Sequence, residues 1–440
     1  MSADFFNTTI GEQVTLQRGF DITKKQQRPG NVPVVSSGGI SSFHDEAMVK
    51  GPGVVLGRKG SLGTVFYINE DFWPHDTSLW VKDFKNNNSR FVYYFFSNIA
   101  EKLKKMDVGA ANPTLNRNHV HPLPIKWTTR GNQDKIVRIL SSLDDKIELN
   151  HKINQTLEQM AQAIFKSWFV DFEPVKAKIE AKKNDQDPER AAMSTISGKT
   201  DAELDHLPPV QLAQLTTTAA LFPDDLVDSE LGLIPKGWEV ESIKDWGAVI
   251  CGKTPPKKNP SFYGGSVPFI KIPDMHGNVF ATTTNDTLSQ KGASTQPKKQ
   301  IPEGSICVSC IATVGQVVIA SEDSHTNQQI NSIVPAKMSY NYYLFFSMKE
   351  RTGLLHEMAS GGSATLNLNT GNFLKILLLV PSSSLLDEYC QKVDSIFWNI
   401  LLNDQQSQVL SNIRDTLIPK LLSGEISVGK AKTTNEEMAV

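Results

Sequence analysis

Residues 133–169 read QDKIVRILSSLDDKIELNHKINQTLEQMAQAIFKSWF. Within them Ile136, Leu140, Leu143, Ile147, Asn150, Asn154, Leu157, Ala161, Ile164 and Trp168 fall at alternating steps of four and three. On a helix of about 3.6 residues per turn these positions form one stripe, and a stripe held this long is the seam of a coiled coil. A second seam lies 253 residues on, at Tyr389, Val393, Ile396, Ile400, Asn403, Ser407, Leu410, Arg414, Leu417 and Leu421. Asn150 and Asn403 interrupt the two stripes at equivalent places. A polar seam residue costs stability but fixes register, so the helices are expected to pair with each other rather than each cover its own domain. The expected contacts are Leu143, Ile147, Asn150, Asn154, Leu157 and Ile164 against Ile396, Ile400, Asn403, Leu410 and Leu417. A helix over 133–169 is roughly 55 Å long at about 1.5 Å per residue, more than the ~35 Å turn of B-DNA. Antiparallel pairing would make it a spacer with a pseudo-two-fold axis and a domain at each end.

Outward from the helices, the chain is written twice. Asn31-Val32-Pro33-Val34 recurs as Ser266-Val267-Pro268-Phe269, and Pro52-Gly53-Val54-Val55-Leu56 as Glu303-Gly304-Ser305-Ile306-Cys307. Tyr93-Tyr94-Phe95-Phe96-Ser97 recurs as Tyr343-Leu344-Phe345-Phe346-Ser347, and Pro113-Thr114-Leu115-Asn116 as Ala364-Thr365-Leu366-Asn367. The offsets, in order, are 235, 251, 250 and 251. A unit this long is a duplicated domain. The expected organisation is a first domain over 1–130, a long helix over 131–185, a partly ordered connector over 186–235, a second domain over 236–382, a second helix over 383–425 and a frayed tail over 426–440.

Composition allows this and little more. The chain has 440 residues, 39% hydrophobic and 21% charged, the profile of a globular protein. It has no apolar run long enough to cross a bilayer, and no basic, apolar leader stands at its start. Four cysteines make no disulfide framework, so a reduced cytoplasmic setting with no membrane is expected. The net charge of −2 is uneven: residues 171–232 hold thirteen acids against six Lys/Arg, a net of −7, which leaves +5 elsewhere.

Motifs for catalysis are poor. Gly247 to Thr254 matches a phosphate loop by letter, but Val249, Ile250 and Cys251 favour a strand and Pro255 and Pro256 are a poor helix start. Cys307 and Cys310 form a lone C-x-x-C in a strand, short of the four ligands of a zinc site. His75-Asp76-Thr77 is set against His325-Thr326-Asn327 in the second copy, which does not keep the acid. Asp171, Glu180 and Lys182 have no flanking strand of the kind a nuclease uses, and no methyltransferase signature is present. No catalytic residue, metal or cofactor is therefore expected.

What remains suits DNA contact, where Arg and Lys read guanine, Asn and Gln read adenine, and hydroxyls hold phosphates. The first copy offers Ser36, Ser37, Arg58, Lys59, Ser61, Asn112, Thr114, Asn116 and Arg117. The second offers Lys257, Lys258, Lys271, Thr313, Gln316, Asn327, Gln328, Gln329, Ser363, Thr365 and Asn367. A duplicated scaffold that holds two protein partners and never touches DNA would use the same helices.

Three signatures carry a resemblance. They are Gly57-Arg58-Lys59-Gly60-Ser61-x-Gly63 leading to Phe72-Trp73-Pro74-x-Asp76-Thr77, the helix exit Phe165 to Val175, and Leu231 to Val240. With the duplication, they resemble the specificity subunit of type I restriction–modification systems over essentially the full length. The resemblance implies an α+β fold of two target recognition domains, each a mixed twisted sheet with flanking helices, joined by two long antiparallel coiled-coil helices. It implies a bipartite, asymmetric double-stranded DNA target. It also implies two methyltransferase (modification) subunits and nuclease-translocase (restriction) subunits as partners, which would bring the methyl donor and ATP. The second copy departs from the first signature: Ser309 to Gly315 lacks the Arg-Lys pair.

Overall fold

The computed structural model describes residues 5–106, 114–360 and 365–428. The chain divides into two compact units, Met1–Leu149 with Ser407–Val440, and Asn150–Gln406.

In the first unit, strand Phe5–Thr9 pairs antiparallel with Pro124–Thr128. Thr9 then caps the short helix Ile10–Gln13, and Glu12 closes the capping box, so two free backbone amides are satisfied reciprocally. A four-stranded sheet follows in the order Thr15–Arg18, Ser78–Asp83, Gly53–Gly57, Val65–Ile68. Beside it lies a three-stranded sheet, Gly39–His44, Val32–Ser36, Trp73–Pro74, whose last pair is parallel. The strand Gly53–Gly57 is buried along its whole length, as a continuous apolar run requires. Helix Ser89–Asn98 turns Phe91, Val92, Tyr94, Phe95 and Phe96 inward. They share a core with Trp127, Ile136, Leu140, Leu417 and Leu421, so the long helices are built into this domain.

The second unit repeats the plan. Ser242 and Asp245 form the capping box of helix Ile243–Trp246, and strand Glu239–Ser242 pairs with Leu377–Val380. A five-stranded sheet orders Gly247–Cys251, Ile330–Pro335, Ile306–Ser309, Val317–Ala320, Phe280–Ala281. Strand Tyr263–Ile270 pairs in parallel with Ser324–Thr326, as Val32–Ser36 does with Trp73–Pro74. Matching hydrogen bonds correct the alignment read from the letters. Leu115 N donates to Arg58 O, and Leu368 N to Cys310 O. Asn116 caps the helix Arg117–Val120, and Asn369 caps Thr370–Phe373. Thr114-Leu115-Asn116 therefore corresponds to Asn367-Leu368-Asn369, at offset 253 rather than 251. The internal echo of Thr365-Leu366-Asn367-Leu368-Asn369 allows the slip. Phe20 N donates to Pro74 O as Lys253 N does to Thr326 O, so His75 corresponds to Asn327, not His325.

The long helices are Arg130–Phe169 and Ser383–Ser423, and they run antiparallel within each unit. In the first, Lys126 Nζ, just ahead of one helix, donates to Ser423 O at the end of the other (2.7 Å), and Arg414 Nη1 donates to Asp144 Oδ1 (2.8 Å). In the second, Asn154 Nδ2 donates to Ile400 O (3.1 Å) and Asp404 Oδ1 (2.7 Å). Asn150 is fully buried and its amide donates to Asn403 O (3.3 Å) and Gln406 Oε1 (2.9 Å). The polar breaks thus meet one another, where a buried amide needs a partner. Leu143, Ile400 and Leu417 are buried; Ile147, Asn154, Leu157, Ile164, Ile396, Asn403 and Leu410 are half-buried.

The first long helix ends at Phe169, short of 185. Val170 N and Asp171 N both close on Lys166 O, and Phe172 turns left-handed at φ 53°. Pro174 lacks an amide proton and fits the first turn of a new helix, Glu173–Lys183. The stretch expected as a partly ordered connector holds helices Pro188–Ser197, Asp201–Leu204 and Pro209–Ala220, then the hairpin Leu226–Ser229 with Gly232–Pro235. Ala192, Met193, Leu204 and Ala219 form its small core. Lys178 is buried there and bonds Glu189 Oε1 (2.7 Å) and Phe222 O (2.8 Å).

Candidate nucleic-acid interface

In the first unit three loops converge at one end of the four-stranded sheet. Arg58 N and Lys59 N both donate to Thr77 O, and Lys59 pairs with Thr114. Ser37 N donates to Thr77 Oγ1 (3.3 Å), and Thr64 Oγ1 donates to Ser37 O (2.6 Å). Gly57 is obligatory: a Cβ there would lie 2.0 Å from Ser61 O. The loops border a groove of about 700 Å³ lined by Gln17, Arg18, Arg58, Lys82, Thr114, Asn116, Arg117 and Asn118, with Leu79 at its base.

Arg58, Thr114, Asn116 and Arg117 are thus brought together, while Ser36 and Ser37 are half-buried and Lys59 and Ser61 exposed in the adjoining turns. Asn112 and Ser363 lie outside the described residues. Sequence reasoning missed Gln17, Arg18, Lys82 and Asn118. Arg18 closes a strand of alternating burial, but its partner Asp76 lies 58 residues away and no local signal links them. Arg18 Nη2 donates to Asp76 Oδ2 at 2.6 Å, and Arg58 Nη1 to the Asp76 carbonyl at 3.4 Å. Burial opposes the Asp76 charge, yet the Arg18 guanidinium holds its carboxyl below the usual range. Burial, then the charge of Arg18, lowers the pKa of Arg58. Asp21, His75 and Asp76 place one possible metal-ligand atom each within 4.8 Å of one another, but Asp76 is already engaged by Arg18.

In the second unit the same turns carry other side chains. Thr77 N donates to His75 Nδ1 (3.3 Å), and Gln329 N to Asn327 Oδ1 (3.1 Å), so His75 and Asn327 both close a turn. Asn327 is buried, and its amide also donates to Gln329 Oε1 (2.9 Å). Gln328 is exposed and accepts from Thr254 Oγ1 (2.6 Å). Lys257, Lys258, Thr313, Thr365 and Asn367 are exposed, and Gln316 is half-buried. Lys271 is half-buried, paired with Asp286 and lying over the Phe269 ring. Gly247–Cys251 is a strand paired with Ile330–Pro335, and the next element is only the 3-10 turn Pro260–Phe262 rather than an α-helix starting at Thr254, which removes the geometry of a phosphate loop.

His121 gives a pH test of the first unit. Its Nε2 accepts from Leu16 N (3.0 Å), which needs the neutral ring. Burial first, then Arg117 and Lys85, lowers its pKa below the ordinary 6.5. The unfolded chain then binds the extra proton, so stability is full above about pH 6.5 and falls as pH drops below it. His121→Gln keeps an acceptor and is expected to flatten this dependence in melts between pH 5 and 7.5; an unchanged slope would refute the assignment.

The fold and site together define a duplicated α+β protein whose two recognition domains share one turn framework on a pair of antiparallel helices. Residues 4–159 and 235–410 match the family described as the type I restriction modification DNA specificity domain. The chain is 50% identical over 327 residues to the type I restriction enzyme HindI specificity subunit of Haemophilus influenzae, covering 71% of each. It is 26% identical over 363 residues to the MjaIX specificity subunit of Methanocaldococcus jannaschii, covering 77% of this chain and 69% of that one. Its fold is similar to the crystal structure of a type I restriction–modification S subunit from M. genitalium, with TM-score 0.55, 14% identity, and coverage of 96% and 97%. The chain belongs to the family of type I restriction–modification specificity subunits, whose role is DNA sequence recognition. Among the described residues no helix is long and apolar enough to cross a membrane.

Proposed function

We propose that the two units read the two unlike parts of a bipartite, asymmetric double-stranded target, and that the chain leaves the chemistry to partner subunits. The observation that carries this is the shared turn framework with different side chains: Arg18, Arg58 and Asp76 in one unit stand where Cys251, Cys310 and Gln328 stand in the other. Equal backbones with unequal donors and acceptors suit two half-sites of different sequence. Beside the paired Arg18, the groove of the first unit holds Arg58, Lys82 and Arg117, cations suited to a polyanion. The test is a map of methylated adenine with and without this gene. Loss of one two-part motif supports the reading. An unchanged map, with the modification genes expressed, would return the chain to a scaffold that never touches DNA.

The same proposal assigns partner docking to the long helices. In the Asn150–Gln406 unit, Ile153 and Met160 are exposed on the first, and Trp398 and Leu402 on the second. The steps, seven in the first pair and four in the second, keep each pair on one helix face. Exposed apolar stripes of this kind mark interaction surfaces. Trp398→Glu with Leu402→Glu is expected to remove one modification subunit from the purified assembly and raise the solubility of the chain alone. Native mass spectrometry reads the subunit count, and an intact count would refute the assignment.

A further inference from the structure

Arg18 sits at the edge of the groove with its side chain 54% exposed, while Asp76, which holds it, is only 16% exposed. The bond runs from one terminal nitrogen, Nη2, to Asp76 Oδ2 at 2.6 Å. A guanidinium has five donors in a planar fork, so this single bond tethers one end of the fork and leaves the other donors for a ligand. The other Asp76 oxygen lies 3.1 Å from His75 Nδ1, and Arg58 reaches the Asp76 carbonyl. His75 Nδ1 accepts from Thr77 N and does not grip the acid, so the carboxylate is kept in place by the Arg18 bond and by its own burial. Gly19 makes the approach possible, since a Cβ there would lie 2.1 Å from His75 O.

This framework does not require the charges. Gly19 N donates to Ser78 O as Gly252 N donates to Ile330 O, and Arg58 N to Thr77 O as Cys310 N to Gln329 O. The second unit keeps these bonds with Cys251, Cys310 and Gln328 in place of Arg18, Arg58 and Asp76. The charged trio is therefore a property of one domain's surface, not of the fold.

We propose that Arg18 is a specificity-determining residue that reads a guanine in the half-site of the first unit, with Asp76 as its positioning residue. The inference rests on the DNA-reading role proposed above. Guanine presents two neutral acceptors, O6 and N7, in the major groove, and a guanidinium fork tethered at one end matches them with its free donors. A phosphate is a poorer partner here, because the Asp76 carboxylate lies beside the fork and repels an anion. Arg18 and Asp76 thus act as a unit: the acid restricts the side chain and disfavours backbone contacts, and the guanidinium selects the base.

The experiment uses the full chain in complex with its modification subunits and duplexes carrying the methylated motif found by the mapping. Each guanine of the first half-site is replaced in turn by 7-deazaguanine, which lacks the N7 acceptor. Arg18→Ala and Arg18→Gln are expected to lose roughly 5- to 150-fold in affinity for the natural duplex. They should be indifferent to one of the deazaguanine positions that weakens the wild type. Asp76→Asn should lose discrimination at that same position and bind unrelated DNA more tightly, since the charge that repels phosphate is gone, and Arg18→Lys should not restore the discrimination. Equal loss on all sequences, with the salt dependence shallower by about one counterion, would make Arg18 a phosphate contact and overturn the inference. So would a first half-site without guanine, or an Asp76→Asn protein with native discrimination. Wild-type complex that binds all duplexes alike would instead defeat the DNA-reading role itself. Circular dichroism of each variant separates these outcomes from misfolding, and Arg18→Gln and Arg18→Lys keep the stem of the side chain in place.

Discussion

Trp168→Ala is expected to destabilise the Asn150–Gln406 unit by about 3–5 kcal/mol, the usual cost of deleting a fully buried tryptophan. The side chain is 2% exposed, with the ring of Phe222 at 5.1 Å and those of Phe169 and Tyr389 at 6.1 Å. It is where the end of the first long helix, the last residues of the helical insertion and the second long helix meet. Rigid aromatic rings cannot collapse into the space an indole leaves, so both the transfer and the cavity costs apply. Trp398, 58% exposed, is the control, and Trp398→Ala should stay within about 0.5 kcal/mol. Calorimetry of the full chain is expected to show the transition of this unit shifted down by Trp168→Ala while that of the Met1–Leu149 unit stays in place. Equal shifts for the two tryptophan variants would defeat the packing argument.

The second large effect has the opposite sign. Asp404 lies in the polar knot of the helix pair, accepting from Asn154 Nδ2. Burial pushes its carboxyl up to about 6, against the lowering effects of the Asn154 bond and of His151, with Glu158 adding to the rise. A carboxyl raised in the fold binds its proton there more tightly than in the unfolded chain. Stability from this group is therefore greatest at low pH, falls as pH rises from about 4 to about 6, and stays low above that. At ~1.4 kcal/mol per unit, the penalty near neutrality is at most about 3 kcal/mol, and less for a half-buried group that water still reaches. Asp404→Asn keeps an acceptor for Asn154 and removes the charge. It should stabilise the Asn150–Gln406 unit by about 1–3 kcal/mol at pH 7.5 and by little at pH 4.5. Melting curves at the two pH values read the difference, and equal stabilisation at both would show that the charge is not the cause. The wild-type carboxylate costs stability where the helices meet, which fits a seam kept polar for register rather than for strength.

Much of the molecule could be read from residues alone, and the reasons differ by element. The long helices announce themselves because a seam repeats over many turns, and each apolar position adds to the same face. The pairing of Asn150 with the Asn403 backbone was legible from the shared offset of the two seams. The helical insertion was not. Its acids and serines look like a solvated linker, while the few residues that bury it, Ala192, Met193, Leu204 and Ala219, are too small and sparse to make a stripe. The duplicated turns were seen but set two residues out of register at Asn367, because repeated Leu-Asn letters hide which copy of the pair caps the helix.

The candidate interface divides along the same line. Arg58, Thr114, Asn116 and Arg117 stand in turns that the repeats point to, and they meet in one groove. Arg18 escaped notice because a lone arginine at a strand end is unremarkable until Asp76 is seen beside it. By itself, the sequence determined the duplication, the helix pair and the family, since each is written in periodicity or in runs of neighbouring residues. Only the tertiary structure decided which charges meet, which amides close turns, and where the first helix stops, because those depend on contacts between residues far apart in the chain, at distances where a single ångström separates a bond from none.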